Sequence, residues 1–248
     1  MRGLARGVAI LALLAQGCAA LRVEPESLPS PGPLLAWKGR PGVVIGAPHG
    51  ASDAETDRIS RELARRTGFG LVVATYRDLD SGRRRLNVNR PTEGIQGRSP
   101  SEEVSTAEAW QAYDTYVGRV REVAQGPLTL YVEIHGNVGR ESAGRIEIAT
   151  VGVSREEASM LKTLLELIRD PHLAGRPEIP RLDVLVEPLD GLYYTASAVK
   201  QAGILKLPQR EIHIELPRVA RTLGRQVYTD MLTDFLAQAA DLLLTRGQ

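Results

Sequence analysis

The sequence predicts a three-layer α/β/α domain built on a mostly parallel, mixed central sheet. Six short runs rich in Val and Ile have the length and composition of strands, at 43–47, 71–75, 128–134, 145–151, 182–187 and 210–216. Between them, helical patterning covers the stretches near 53–67, 103–124, 155–169 and 222–245. In the last of these stretches, apolar residues recur at three- and four-residue steps, as on one packed helix face. Strands that alternate with helices favour a largely parallel sheet with helices on both of its faces.

The composition is that of a globular protein. The 248 residues are 43% hydrophobic and 25% charged, which excludes a collagen-like, coiled-coil or disordered chain. Because 31 Lys and Arg balance 30 Asp and Glu, no strong electric field attracts nucleic acid or an anionic membrane surface. The single Cys excludes a disulfide within the chain and a metal cluster of several cysteines. These observations favour an enzyme with a small-molecule or peptide substrate over a nucleic-acid-binding protein.

The first eighteen residues have the pattern of an export signal. Arg2 and Arg6 precede the apolar run VAILALLA, and the small residue Gly17 and then Cys18 follow it. A basic stretch, about 7–15 apolar residues and small residues at the end are typical of a secretory signal, which is too short to span a bilayer. The segment AQGC resembles the lipobox of bacterial lipoproteins, in which the Cys is lipidated and becomes the mature N-terminus. We therefore predict a signal peptide with a lipobox over 1–18.

The residues after Cys18 predict a tether between a membrane anchor and a folded domain. Residues 19–36 contain four prolines and little apolar periodicity, a composition typical of an extended linker. The α/β domain is then expected to occupy 37–248. The predicted location is the bacterial periplasm or cell envelope, with an anchor through lipidated Cys18 or, in the alternative, plain secretion after cleavage near Ala20.

Two of the four histidines follow predicted strands. His49 comes after VVIGAP, and His135 comes directly after LTLYVEI. Reactive residues of α/β sheets gather at the carboxyl ends of the strands, so these two side chains can converge in space. Zinc in open catalytic sites takes nitrogen and oxygen ligands from three side chains. The two histidines therefore indicate a metal site, and the alternative is that each has a structural role.

The third ligand is expected in the acidic stretch HGASDAETD. Asp53 lies four residues after His49, where the first predicted helix begins. The alternative is that Asp53 is the N-cap of that helix, a position at which Asp is favoured. Ser52 can equally be the cap while Asp53 turns inward. Asp57 lies one helical turn further on the same face and is the alternative ligand.

A catalytic metal also needs a base that takes the proton of the attacking water. In the run REIHIELP, strand alternation puts Glu211, His213 and Glu215 on one face. Glu215 is the last of the three and is the candidate base, the alternative being a solvated glutamate at a strand end. Glu133 shares a face with His135 and either orients that His or forms a structural ion pair.

The segment RRRLNVNRP concentrates cations and amides at 83–91. Arg90 offers a planar fork suited to a carboxylate, and Asn89 can add a hydrogen bond. Arg83 to Arg85 are interpreted as part of a solvated loop.

Four segments together resemble the N-formylglutamate amidohydrolase family, whose members are relatives of the zinc carboxypeptidases. They are PHG with a following Asp at 48–53, LNVNRP at 86–91, YVEIHGN at 131–137 and IHIELPR at 212–218. The resemblance implies a zinc-carboxypeptidase-like fold and one Zn²⁺ ion. Carried over residue by residue, it assigns metal binding to His49, Asp53 and His135, a substrate-carboxylate clamp to Asn89 and Arg90, and the general base to Glu215. Zinc carboxypeptidases place the acid three residues after the first His, where this chain has Ser52.

The expected function is that of a zinc-dependent amidohydrolase or carboxypeptidase-like hydrolase. Its substrate would carry a carboxylate near the scissile amide, as N-acyl amino acids, γ-glutamyl chains and peptides do. The first alternative is a non-catalytic exported lipoprotein that binds a metal or an anionic ligand on the same scaffold. The second is a Ser-His-Asp esterase with Ser52 or Ser142 as nucleophile, against which the lack of a GxSxG motif counts. No nucleic-acid partner is expected, and contact with a membrane is expected only through the lipid anchor.

Overall fold

The computed structural model of the chain describes residues 33–50, 52–75, 84–95 and 99–245. The predicted signal peptide, Cys18 and nearly all of the predicted tether lie outside these residues. None of the described helices combines the length and the hydropathy that a membrane crossing requires.

Seven strands form the central sheet, and two more form a separate hairpin. The strands are β1 (Leu34–Trp37), β2 (Arg40–Ala47), β3 (Phe69–Ala74), β4 (Arg84–Asn87), β5 (Thr92–Ile95), β6 (Leu130–Asn137), β7 (Arg145–Val151), β8 (Asp183–Val186) and β9 (Arg210–Pro217). The order across the sheet is β1-β3-β2-β6-β9-β7-β8. The four consecutive strands β3, β2, β6 and β9 are parallel, while β1 at one edge and the pair β7 and β8 at the other run antiparallel to them. The predicted mixed, mostly parallel sheet is confirmed.

Helices cover both faces of the sheet. They are α1 (Thr56–Thr67), α2 (Ala107–Ala124), α3 (Arg155–Leu173), α4 (Ser197–Ala202), α5 (Arg218–Arg221) and α6 (Arg225–Thr245). The apolar sides of α1, α3 and α6 pack into one buried cluster, and those of α2 and α4 pack into a second cluster on the opposite face. Helix α3 begins where the sequence provides a capping box, in which the side chains of Ser154 and Glu157 each bond the other's backbone N–H. The predicted three-layer architecture is confirmed.

Three segments differ from the prediction. The sheet begins at Leu34, inside the predicted tether, because Leu34 and Ala36 alternate inward and are buried against the α2 side of the sheet. Helix α1 begins at Thr56 and not at residue 53, because Glu55 has a positive φ of 72°. The hairpin of β4 and β5 was not predicted, since its short strands carry Arg and other polar residues in place of Val and Ile.

A row of polar side chains follows the two adjacent strands β6 and β9 on the face of the sheet that α2 covers. Strand alternation puts three residues of each strand on this face, and the register pairs Tyr131 with Glu211, Glu133 with His213 and His135 with Glu215. All six are buried, and we call them the polar row. Hydrogen bonds within the row stabilise it, because an unpaired buried charge is strongly unfavourable. The carboxyl oxygens of Glu211 have no hydrogen-bond partner among the described residues, and burial raises the pKa of Glu211 well above its ordinary value, which favours the neutral acid.

Gly46 of β2 provides space for the inner end of the polar row. The hydroxyls of Tyr116 and Tyr131 lie 2.9 Å apart, and the Tyr131 hydroxyl donates to Glu133 Oε1 at 3.3 Å. A Cβ atom at Gly46 would collide with the Tyr131 hydroxyl and lie 2.7 Å from the Tyr116 hydroxyl. The close approach of these two rings therefore requires glycine at this position.

We expect Gly46→Ala to lower the free energy of unfolding by about 1–3 kcal/mol, because the added methyl overpacks the tyrosine pair. The matched control is Gly118→Ala in α2, where an added Cβ meets nothing within 4 Å. In that helix interior, alanine is expected to raise the free energy of unfolding by about 0.5–1 kcal/mol. Urea unfolding of both variants checks the pair, and equal stabilisation by both would contradict the packing described here.

Candidate metal centre

A cavity of about 850 Å³ opens at the carboxyl ends of the parallel strands β2, β6 and β9. This is the edge of the sheet at which α/β proteins bind their ligands. The residues singled out from the sequence all line it, namely His49, Asp53, Asn89, Arg90, His135 and Glu215.

His49 and His135 lie next to each other at the end of strands β2 and β6. Their rings meet edge to face, with centroids 5.2 Å apart. His49 is buried, and this burial, together with the positive charge of Arg85, lowers its pKa well below the ordinary value. The ring is therefore neutral at neutral pH, which is the form of imidazole that binds metal ions.

Asp53 turns inward and does not cap helix α1. Its Oδ2 accepts a hydrogen bond from the backbone N–H of Gly136 at 3.2 Å and lies 3.6 Å from His135 Nδ1. The N-cap position belongs to Glu55, whose side chain makes no capping bond. Asp53 thus brings a carboxylate to the two histidines.

Asp57, the alternative acid, is directed elsewhere. It forms an ion pair with Arg61 along α1, with 3.5 Å between Oδ2 and the guanidinium, and does not line the cavity.

His135 has a carboxylate on each side of its ring. Nδ1 faces Asp53, whereas Nε2 lies 3.0 Å from Glu133 Oε2. Burial and the neighbouring His213 disfavour a charge on His135, but Glu133 and Asp53 together raise its pKa above the ordinary value.

Glu133 is fully buried and gathers hydrogen bonds from several directions. Its Oε2 is 3.0 Å from His135 Nε2 and 3.0 Å from His213 Nδ1. Tyr131 donates to Oε1, and the Asn89 amide reaches Oε2 at 3.5 Å. Burial favours the neutral acid, but the two imidazoles outweigh it and lower the pKa of Glu133 to about 2. The sequence alternative in which Glu133 orients His135 matches this contact.

His213 was not predicted as a site residue, yet it lies at the centre of the polar row. Its ring stacks on His135 with centroids 4.4 Å apart, and its Nε2 lies 3.4 Å from Glu215 Oε1. Burial disfavours the imidazolium, but the hydrogen bonds to Glu133 and Glu215 outweigh it and raise the pKa of His213 to about 10. Alternation in REIHIELP put His213 on the face of Glu215; only the register of β6 against β9 reveals its contact with Glu133.

Glu215, the candidate base, is held from two sides at the cavity wall. His213 approaches one carboxylate oxygen, and the Asn137 amide donates to the other at 3.3 Å. Glu215 pairs in register with His135 on the neighbouring strand. Its carboxylate therefore lies beside His213, on the strand next to His135, and is not the solvated strand-end glutamate of the alternative interpretation.

Two overlapping sets of side chains surround His135, and one of them has the spacing of a metal site. Glu133, His135 and His213 offer ligand atoms that all lie within 4.8 Å of one another. On the cavity side, His135 is joined instead by His49 and Asp53. The two sets share only His135, which presents a different nitrogen to each.

Arg90, predicted with Asn89 to bind a substrate carboxylate, binds a carboxylate of the protein itself. The Arg90 guanidinium binds both oxygens of Glu103, at 2.8 Å from Nε and 2.6 Å from Nη2. Asn89 is buried, and its Oδ1 has no hydrogen-bond partner among the described residues. A substrate carboxylate could bind the Nε and Nη2 edge of Arg90 only by displacing Glu103.

Arg85 was interpreted as solvated, and this interpretation is wrong. Its side chain lines the cavity, with Nη2 3.7 Å from Asp53 Oδ1. Its buried Nε finds no hydrogen-bond partner within the part of the chain that the structure describes. The direction of Arg85 follows from the hairpin of β4 and β5, which the sequence pattern did not reveal. Arg84 is described in its backbone alone, and Arg83 lies outside the described residues.

Arg221 holds together three backbone segments at the edge of the cavity. It is 3% exposed and donates to three backbone carbonyls, those of Ala54, Asn137 and Leu216. A Cβ atom at Gly136 would lie 2.5 Å from the Arg221 guanidinium carbon, so a larger residue after His135 would displace this guanidinium from its three carbonyls. Arg221 thus joins the chain around Asp53 to the ends of β6 and β9.

The geometry disfavours a serine nucleophile. Ser142 is buried and donates to Asn137 Oδ1 at 2.7 Å, and Ser52 contacts the carbonyl of His49 in its own turn. Neither hydroxyl bonds a histidine ring among the described residues, although such a pair activates serine hydrolases.

Comparisons with known proteins give distant structural similarity only. No protein-family model matches the chain, and no curated protein matches it. Among solved structures, a bacteriophage poly-gamma-glutamate hydrolase is 13% identical with a TM-score of 0.48, over 84% of this chain and 89% of that one. A gene product of Agrobacterium tumefaciens is 15% identical with a TM-score of 0.46, over 85% and 93%. A metallo-carboxypeptidase from Burkholderia cenocepacia is 10% identical with a TM-score of 0.45, over 84% and 60%. Similarity at this level transfers neither activity nor substrate, and the resemblance to N-formylglutamate amidohydrolases stays a prediction.

Proposed function

We propose that the protein is an exported zinc-dependent hydrolase that cleaves an amide bond in a substrate bearing a carboxylate. The observation that carries the proposal is the convergence of His49, Asp53 and His135 on one cavity, with Glu215 beside them. Two imidazoles and a carboxylate are a donor set that zinc uses in hydrolases. Export and anchoring through Cys18 belong to the same proposal and rest on the sequence pattern.

We assign the catalytic metal to the cavity-side set. Glu133 is 0% exposed, does not line the cavity and already accepts bonds from several side chains. A catalytic metal needs a coordination position open to substrate, which the set of His49, Asp53 and His135 offers. Glu133 then has the role of a carboxylate that holds the remote nitrogen of a metal-binding histidine.

The residues around this centre divide the work of amide hydrolysis. When bound, zinc supplies Lewis acidity, which polarises the scissile carbonyl and acidifies a coordinated water. Glu215, fixed by Asn137 and His213, takes the proton of the attacking water and passes it to the leaving nitrogen. The contacts with Asn137 and His213 hold the Glu215 carboxylate at the cavity wall, where the proton transfer takes place.

The substrate carboxylate is assigned to Arg85. Glu103 occupies the Nε and Nη2 edge of Arg90, whereas the one ion pair of the Arg85 guanidinium among the described residues is a distant contact with Asp53. A charge-assisted hydrogen bond from Arg85 would orient the neighbouring amide over the metal centre.

We expect Arg85→Gln to raise KM by about 10- to 100-fold with little change in kcat, since it removes a charged hydrogen bond made equally in ground and transition states. Arg85→Lys should recover part of this loss. Arg61→Gln on the outside of α1 is the matched control and should leave KM unchanged. If Arg90→Gln raises KM and Arg85→Gln does not, the carboxylate contact belongs to Arg90.

Metal analysis combined with a substrate panel tests the proposed function. The purified protein should hold about one zinc per chain and hydrolyse members of a panel of N-acyl glutamates, γ-glutamyl peptides and short peptides. A chelator should abolish the activity, and added zinc should restore it. Zinc binding without turnover across the panel would favour the non-catalytic lipoprotein. No zinc binding would contradict the hydrolase and leave a protein that binds an anionic ligand on the same scaffold.

A further inference from the structure

We propose that His213 is a positioning residue, which joins the metal-binding His135 to the base Glu215 through the buried carboxylate of Glu133. The inference rests on the proposed metal centre and concerns a residue that touches neither the metal nor the reacting atoms.

The contacts form one continuous chain across two neighbouring strands. His135 Nε2 and His213 Nδ1 both lie 3.0 Å from the same atom, Glu133 Oε2. The other nitrogen of His213 lies 3.4 Å from Glu215 Oε1. Each nitrogen of His213 therefore faces a different carboxylate, one behind the metal centre and one at the cavity wall.

The register of β6 against β9 holds these four side chains in fixed relative positions. Glu133 pairs with His213 and His135 pairs with Glu215 on adjacent central strands of the sheet. The ring of His213 also stacks against that of His135 at 4.4 Å, so it cannot rotate without displacing the metal-binding ring. An imidazole at this point satisfies two buried carboxylates at once, which an apolar residue of similar size could not do.

His213 affects the proposed metal centre through Glu133, which orients His135. This carboxylate fixes the plane of His135 and so directs Nδ1 towards Asp53. His213 shares the oxygen that holds His135, so losing its bond to Glu133 frees that carboxylate to rotate. Substitution of partners behind metal-binding histidines typically lowers metal affinity by about 10- to 100-fold.

The two nitrogens of His213 can be replaced one at a time. The amide nitrogen of asparagine is as many bonds from Cβ as Nδ1, so His213→Asn keeps a donor for Glu133 and loses the link to Glu215. The amide nitrogen of glutamine corresponds in the same way to Nε2, so His213→Gln keeps a donor for Glu215 and loses the link to Glu133.

We expect His213→Gln to weaken zinc binding by about 10- to 100-fold. His213→Asn should bind zinc as the native protein does and lower kcat by about 10- to 100-fold at unchanged KM, because Glu215 loses one of its two anchors. Zinc affinity is measured by competition with a chromophoric chelator, and this comparison needs no substrate. The absorption spectrum of the Co²⁺-substituted protein reports whether the ligands themselves have changed.

His172→Asn is the matched control, since His172 on α3 forms an ion pair with Asp234 away from the cavity. It should leave zinc affinity, the Co²⁺ spectrum and kcat unchanged. Thermal unfolding of each metal-free variant separates loss of the fold from loss of positioning, and the Asn variant decides the question if the Gln variant does not fold.

Several outcomes would overturn the inference. Native zinc affinity in both His213 variants, with zinc lost in His49→Ala, removes the positioning role and leaves the proposed function intact. Loss of zinc and an altered Co²⁺ spectrum in both His213 variants, with zinc retained in His49→Ala, makes His213 a ligand. A native protein that binds no zinc contradicts the proposed function and this inference together.

Discussion

Replacing Glu215 with Gln is expected to lower kcat by about 10²- to 10⁴-fold while zinc stays bound, which is the usual contribution of a positioned general base. The amide has the size of the carboxylate, and its oxygen can still accept the hydrogen bond from Asn137. It cannot accept a proton from water at any ordinary pH. The change therefore removes the proton transfer and leaves the metal ligands as they are.

The measurement pairs kcat with the zinc content of the same preparation. Glu62→Gln on α1, outside the cavity, is the control and should retain native kcat. Full activity of Glu215→Gln with zinc bound would exclude Glu215 as the base. Loss of zinc from that variant would place the carboxylate among the ligands instead.

The second large effect is expected when both cavity histidines are replaced. A His49→Ala, His135→Ala double variant should bind no zinc and have no activity, since one carboxylate cannot hold the ion alone. Native protein should gain stability when zinc is added, by about 2.7 kcal/mol at a free concentration of 100 times Kd. The double variant should show no such gain in a thermal unfolding experiment with and without zinc.

Single substitutions in the acidic stretch locate the third ligand. Asp53→Asn should weaken zinc binding, whereas Asp57→Asn should not, because Asp57 pairs with Arg61 outside the cavity. The reverse pattern would move the ligand to Asp57. A double histidine variant that still binds about one zinc would show that Glu133 and His213 hold it without the cavity set.

Much of the fold is readable from local pattern, because strands and helix starts depend on nearby residues. VVIGA is a short, continuous apolar run and REIHIEL alternates on the two-residue period of a strand, so both indicate strands. Ser154 with Glu157 marks the start of α3 within one residue. Helix α1 was placed three residues early because Asp53, a good N-cap residue, bonds Gly136 instead. That bond joins positions 83 residues apart, so no local pattern could reveal it.

Some residues of the candidate site can likewise be predicted from local sequence, and others depend on contacts between distant segments. The candidates His49, His135 and Glu215 follow from residue type and from the position of strand ends. The role proposed for His213 depends on the register of β6 against β9, whose paired residues lie 80 positions apart along the chain. Arg85 was misjudged because its direction is set by the pairing of β4 with β5, and Arg90 has a partner, Glu103, that sequence alone does not identify.

The polar row lies on two inner strands of the sheet, whereas the arginines proposed to contact substrate do not. A change of substrate and a change of reaction therefore affect different parts of this protein. Amides of β6 and β9 should exchange with solvent only when the whole domain opens, so the groups proposed for the chemistry are as persistent as the fold itself. Arg85 and Arg90, in contrast, lie on a hairpin that is separate from the central sheet. A shift to a new substrate can therefore arise by replacement of the hairpin alone, whereas any alteration of the reaction requires the centre of the sheet to be rebuilt.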